Sequence, residues 1–228
     1  MNIPLYNQWD PRWGAILLGK SKYTMANSGC YVTSFCMAAH NHGIVMDPGE
    51  FVTKLNKVKA LTDEGVLTYD GLMRAFPVLN FNERVYTSND PIRNTQKVTI
   101  EASIKRIRQL LLLGQPTLLA TDENPFNAQV ADHAVCAKDF RGEGLDTDFL
   151  INNPNGGNEQ WFSERYGPVK DKLYGYISVI GPSLDGISQS LQIHKSAGQA
   201  AWKLGQAQRG ISPTVYYKEA LEDLVRHI

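Results

Sequence analysis

The sequence predicts an α+β domain in which helices come first and a largely antiparallel sheet comes second. Three observations predict it. Up to Gly114, apolar residues recur with the 3.6-residue period of helices. From Pro116 onward they fall in short extended runs separated by Gly, Asn and Asp. A Gly181-Pro182 break then ends the patterned region. Helices and strands that are segregated along the chain, rather than alternating, mark the α+β class.

The first twenty residues are turn-rich and aromatic. In "YNQWDPRWG", Tyr6, Trp9 and Trp13 surround an Asp10-Pro11 turn, which reads as an arm stapled onto the core by its rings. Residues 30–42 read as a helix, with Val32, Phe35, Cys36 and Ala39 at i, i+3, i+4 and i+7 and Gly43 as its stop. "DPGEFVTKLNKV" starts a second helix, capped by Asp47, with Pro48 in its first turn and Phe51, Leu55 and Val58 inward. "TYDGLMRAFPVL" is a third, short piece. "TIEASIKRIRQLLLLGQP" is a fourth, capped by Thr99, with Ile104, Ile107 and Leu111 on one face and Gly114 at its end. Residues 116–121, 133–140, 148–154 and 174–180 read as strands. The organisation expected is a catalytic domain over residues 1–182 and a helical extension over 183–228. That tail is polar and rich in Gln and Ala, with a final amphipathic helix on Val215, Leu221, Leu224, Val225 and Ile228.

Bulk properties exclude several functions. Lys+Arg and Asp+Glu balance to a formal net charge of zero, so no electrostatic case exists for nucleic acid or an anionic membrane. No apolar run approaches the ~20 residues of a membrane span. "MNIPLYNQWD" lacks the basic and apolar regions of a secretory signal, so the expectation is synthesis in the cytoplasm. Three cysteines, Cys30, Cys36 and Cys136, are too few and odd in number for a disulfide framework. No CxxC or HxxxH spacing suggests zinc, and His40 and His42 point to different faces of a helix. No metal or cofactor is expected.

Chemistry is suggested by "NSGCYVTSFCMAAH". It places Cys30 after a small Ser28-Gly29 pair, at the start of a helix. Unpaired N–H groups and the dipole at a helix N-terminus favour a thiolate. A nucleophilic thiol also needs a base, and the base needs an orienting group. His133 opens an apolar strand, "HAVCA", directly after a polar loop. Twenty residues later Asn153 ends the next strand in "INNP", and antiparallel pairing would return it beside His133. Each residue alone also reads as ordinary structure: a core thiol, a satisfied strand histidine, a turn former. The three together, in that order and on those elements, read as a triad.

The segments "YNQWDPRWG" and "YTMANSGCYVTSFCMAAH" resemble the opening of papain-like cysteine peptidases of the C39-like group. The similarity continues through "MDPGEFVTKL", "LTYDGLMRAFP", "IRQLLLLGQPTLLAT", "DHAVCAKDF" and "FLINNPN", over roughly residues 1–180. The resemblance implies a papain-like fold, with the nucleophile helix packed on an antiparallel sheet. It makes Cys30 the nucleophile, His133 the general base and acid, and Asn153 the orienting residue. Relatives often carry Asp at the last position; an uncharged Asn still fixes the ring tautomer. Papain-like enzymes usually supply an oxyanion donor from a Gln shortly before the cysteine. Here Thr24 stands six residues before Cys30, so Gln8 of the N-terminal segment is the better candidate, with Asn27 as a fallback. Tyr31 replaces the small residue that many relatives carry after the cysteine and is a candidate to shape the cleft. Trp161, in "GGNEQWF", is a candidate cleft wall or a sheet-face tryptophan.

The function expected is a cysteine peptidase or amidase that cleaves peptide amide bonds through Cys30, His133 and Asn153. Its substrate would be a protein, a processed leader peptide or a peptidoglycan cross-bridge. A chain without a signal peptide but with a fold often found outside cells fits a phage-type wall enzyme, by analogy of fold. The alternative is a catalytically weak or inactive domain that binds peptides, for which Thr24 and Tyr31 speak.

Overall fold

Capping and stop signals place the helices where the 3.6-residue pattern puts them. The computed structural model describes residues 1, 3–81, 83–90, 92–123 and 132–181. After an N-terminal arm, α1 (Met25–Ser28) leads through Gly29 into α2 (Cys30–His40), followed by α3 (Pro48–Lys57), α4 (Tyr69–Ala75), β1 (Arg84–Tyr86) and α5 (Ile100–Leu112). Then come β2 (Thr117–Thr121), β3 (His133–Arg141), a 3-10 turn at Gly144–Asp146, β4 (Asp148–Asn153), β5 (Asn158–Trp161), α6 (Phe162–Tyr166), α7 (Val169–Lys172) and β6 (Gly175–Ser178). Asp47 accepts from the Glu50 N–H while the Glu50 carboxylate accepts from the Asp47 N–H, a reciprocal box that starts α3. The hydroxyls of Thr68 and Thr99 accept from Gly71 N and Ala102 N and start α4 and α5. Gly156 and Gly157 (φ 92° and 67°) close the β4–β5 hairpin in a backbone region that side chains resist.

The six strands form one antiparallel sheet, ordered β1-β6-β2-β3-β4-β5. Successive residues of a strand point to opposite faces, and here both faces are covered. Leu118, Cys136 and Ile177 pack with residues of α2, α3, α4 and the N-terminal arm. Their neighbours Leu119, Val135 and Tyr176 pack with residues of α5, α6 and α7. The arm holds to its layer through Trp13, whose Nε1 donates to Asn7 O at 2.9 Å and whose ring meets Tyr6 edge-on. Gln8 N donates to Pro154 O, and Asn152 Nδ2 to Ile3 O and Pro4 O, so the arm crosses the end of β4.

Several expectations are corrected. The expected single apolar stripe on α2 is instead burial on every side from Val32 to Ala39, Thr33 and Ser34 included. Ser34 tolerates this because its hydroxyl donates to Ala134 O of β3 at 3.0 Å. The helix ends at His40, not residue 42: Asn41 and His42 turn away to bond Gly114 O and Val179 O. Trp9 is not a staple; it is 53% exposed. The sequence pattern does not anticipate β1, β5, α6 or α7. Among the described residues no helix is long and apolar enough to cross a membrane. Contacts divide the chain into Met1–Leu184 and Asp185–Ile228. The helix expected near the C-terminus lies outside the described residues.

Two-sided burial has a measurable consequence at Leu118 and Leu119, which are 1% and 0% exposed on opposite faces of β2. Leu118→Ala and Leu119→Ala are each expected to cost about 2–5 kcal/mol in denaturant unfolding. A sheet covered on one face would lose that much at only one of the two.

Candidate active site

Cys30 is the first residue of α2, with Gly29 as its N-cap. The first bond of the helix ladder runs from Thr33 N to Gly29 O, so the N–H groups of the first turn point out of the helix end. Glycine at position 29 is set by space. A Cβ there would lie 2.4 Å from Met25 O, because α1 turns directly into α2. The Cys30 thiol lies 3.9 Å from Asp132 O, at the approach to β3.

His133 begins β3 and Asn153 ends β4. Cys136 pairs with Asn152 across the two strands. One further step of that register sets Asn153 opposite Val135, diagonal to His133 on the same face, where side chains can meet. The His133 ring and the Asn153 amide do meet: Nε2 is 2.9 Å from Asn153 Oδ1. A carbonyl oxygen only accepts, so Nε2 carries the proton and Nδ1 is left for the thiol. Cys30 is also near enough to the ring to favour its charged form.

The Asn153 amide has one available orientation. Its Oδ1 takes a second hydrogen bond from Asn155 N at 2.9 Å, and its Nδ2 donates to the Tyr166 hydroxyl at 2.9 Å. Reversing the amide would set N–H against N–H at two places. The Tyr166 hydroxyl in turn donates to Glu123 Oε2 at 2.9 Å. Glu123 also accepts from Asn155 Nδ2 and pairs with Arg165, and its Oε2 stands 3.6 Å from His133 Nε2. Sequence reasoning missed Glu123 and Tyr166. Glu123 follows a strand without any motif, and Tyr166 ends a five-residue helix too short for a periodic pattern.

Electrostatics at His133 are a contest. Burial, the largest influence, disfavours the charged ring. Hydrogen bonding and charge attraction to Cys30, the Asn153 bond and the Glu123 charge favour it, and together they win, so the ring holds its proton above the ordinary histidine range. Tyr166 is pushed up by burial and then by Glu123, which keeps its hydroxyl a donor.

Gln8 reaches this region through the arm. It is buried, its Nε2 donates to Ala26 O at 2.9 Å, and its Oε1 has no partner among the described residues. Asn27, the fallback donor, is used elsewhere: its Oδ1 accepts from Thr24 N in the cap of α1. Tyr31 stands beside Cys30. Its hydroxyl is pushed up by burial first and by the Cys30 charge second. Trp161 is not brought to the others. It sits opposite Leu150, three register positions from the Asn153–Asn158 pair, with the Arg141 guanidinium 3.9 Å above its ring. Among the described residues, no cluster of three or more His, Cys, Asp or Glu could hold a metal ion.

The raised His133 value predicts a direction for its variants. Asn153→Ala or Cys30→Ala removes an interaction that favours the charged ring, so the His133 midpoint followed by NMR is expected to fall in both. The linkage follows: because the folded value is raised, His133 contributes stability that is complete below about pH 6.5 and lost as pH rises through the folded value. His133→Gln is therefore expected to lose more stability at pH 5.5 than at pH 8.5 in denaturant titrations. An equal loss at both would mean that the ring is not held charged.

No protein-family model matches the chain, and no curated protein matches it. Among solved structures it is similar to a Bacillus anthracis protein provisionally described as a C39-like peptidase. The identity is 16%, the match covers 80% of this chain and 96% of the other, and the TM-score is 0.43. A likeness of that size fixes neither fold family nor activity. What stands by itself is a mixed structure of helices on an antiparallel sheet, with Cys30, His133 and Asn153 gathered at one end of it.

Proposed function

We propose that the chain is a cysteine hydrolase that cleaves peptide amide bonds through Cys30, His133 and Asn153, in the papain-like, C39-like manner its sequence resembles. One observation carries this reading. A thiol at a helix start and an amide at a strand end, distant in sequence, converge on one buried imidazole, the amide at its Nε2. That is the geometry acyl transfer needs.

In this reading Cys30 Sγ attacks the substrate carbonyl as its proton resides on His133. The tetrahedral intermediate collapses when His133 gives that proton to the departing amine, leaving a thioester. Water, deprotonated by His133, then attacks the thioester and releases the acid and the thiol. Asn153 Oδ1 holds the ring in the Nε2–H tautomer throughout. The Cys30 backbone N–H and the second Nε2 hydrogen of Gln8 are the donors suited to the oxyanion; loss of one such donor typically costs ~10²–10³ in rate. A second reading, a peptide-binding domain without turnover, is favoured by the Gln8 amide, which already donates to Ala26 O.

Alkylation by dilute iodoacetamide from pH 4 to 9, with adducts located by mass spectrometry, separates the two. Burial pushes Cys136 up to about 12 and raises Cys36 as well, and both are 0% exposed against 7% for Cys30. Labelling confined to Cys30, already fast at pH 6, and slowed at least about tenfold by His133→Ala, is the expected result. Labelling of Cys30 only near the ~8.5 of a free thiol, and unchanged in His133→Ala, overturns hydrolysis and leaves the binding domain.

A further inference from the structure

A cavity of about 310 Å³ opens beside α2, on the side of β1 and β6 rather than of β3 and β4. Its inner wall is apolar: Val32 and Phe35 of α2, Leu72 of α4 and Ile177 of β6, none more than 5% exposed. Its rim carries large side chains that folding leaves in water, Tyr23 at 41% and Val66 at 61% exposed. Ser28 and Tyr31, which bracket Cys30 in sequence, complete the lining, so the cavity is continuous with the start of the nucleophile helix. Its volume is at the lower end of ligand pockets, ~300–1,000 Å³, suited to one large side chain and its neighbour.

The charge in this cavity is specific. Arg84 lines it, with its guanidinium 5.5 Å from the Tyr69 ring centre and 5.0 Å from that of Tyr86. Those rings hold the cation without neutralising it. Among the described residues no carboxylate pairs with Arg84. A guanidinium presented this way offers a planar fork that matches a carboxylate. Glu64 also lines the cavity, from an exposed position.

We propose that this cavity is the side-chain pocket of the Cys30 site and takes a large apolar, preferably aromatic, residue of a peptide, with a carboxylate on or next to it meeting Arg84. The assignment rests on the hydrolase reading above and adds the class of substrate. It also gives Tyr31 a role: a wall between the reacting thiol and the pocket.

The test is NMR titration of the methyl-labelled full chain with N-acetylphenylalanine, N-acetylphenylalaninamide and phenethylamine. Saturable shifts of the Val32, Leu72 and Ile177 methyls are expected, with the acid binding about tenfold more tightly than the amide, the scale of one charge-assisted hydrogen bond. Arg84→Gln removes that preference and Glu64→Gln does not. Arg84 is exposed, and an unchanged far-UV spectrum shows that the variant is folded. Equal binding of acid and amide, tightest binding of the amine, or shifts elsewhere or nowhere each overturn the proposal. The hydrolase reading is judged apart, by the Cys30 alkylation. Activated Cys30 with an empty pocket removes only the pocket. Ligand in the pocket without activation keeps the cavity as a peptide site and removes hydrolysis.

Discussion

The site depends on how α2 is laid against β3. Both elements start at the same end of the sheet, where Cys30 and His133 are their first residues. A slip of α2 by one helical turn, about 5.4 Å, would carry the thiol out of reach of the ring. Two features forbid it. Residues 32 to 39 are all buried, so every turn of the helix is keyed into neighbours. The Ser34 hydroxyl then ties one of those turns to Ala134 O, one residue beyond His133. Gly29 fixes the other end, because a side chain there would strike the Met25 backbone and displace the first turn.

The strand side is set by register and by a polar network. The β3–β4 pairing puts Asn153 diagonal to His133, and the hairpin glycines return the chain into β5. Around the amide, Asn155, Tyr166 and Glu123 are joined by hydrogen bonds, and Arg165 pairs with Glu123 from a more exposed position. A network linked in this way is stiff, since moving one member strands its neighbours, although Asn155 Oδ1 is buried without a partner among the described residues. The stiffness converges on the imidazole, the group that has to present one nitrogen in one direction.

How far the sequence could be read follows from where each element sits. The four interior strands β2, β3, β4 and β6 were legible because they carry apolar residues bounded by turn formers. The two it did not show, β1 and β5, are the sheet's edges; "RVY" and "NEQW" are short and half-exposed and lack an apolar alternation. Helices were legible where a cap residue met a periodic stripe, as at Asp47 and Thr99. The α2 helix was legible as a helix but not as a central one, because Thr33 and Ser34 look like a polar face until a carbonyl is found for Ser34. Cys30, His133 and Asn153 could be read because each stands at an element boundary. Tyr166 and Glu123 could not, because they act through other side chains and sit on a short helix and a strand exit. Trp161 shows the opposite error: an aromatic near a candidate residue in sequence, directed by the strand to the wrong end.

The three thiols show what burial alone does. Cys36 and Cys136 lie in apolar surroundings, and losing water drives both values up. Cys36 Sγ donates to the Met46 carbonyl, an acceptor that suits the protonated thiol and not the thiolate. Cys30 is nearly as enclosed, yet it faces an imidazole that two further groups, Asn153 and Glu123, help to keep charged. On the hydrolase reading, the reactivity of Cys30 would come from its partners rather than from exposure. That bears on the choice between turnover and mere binding. A peptide-binding domain would draw only low-pH stability from a buried ring held above its ordinary value. Acyl transfer uses the same charge twice, to stabilise the thiolate before attack and to protonate the amine that leaves.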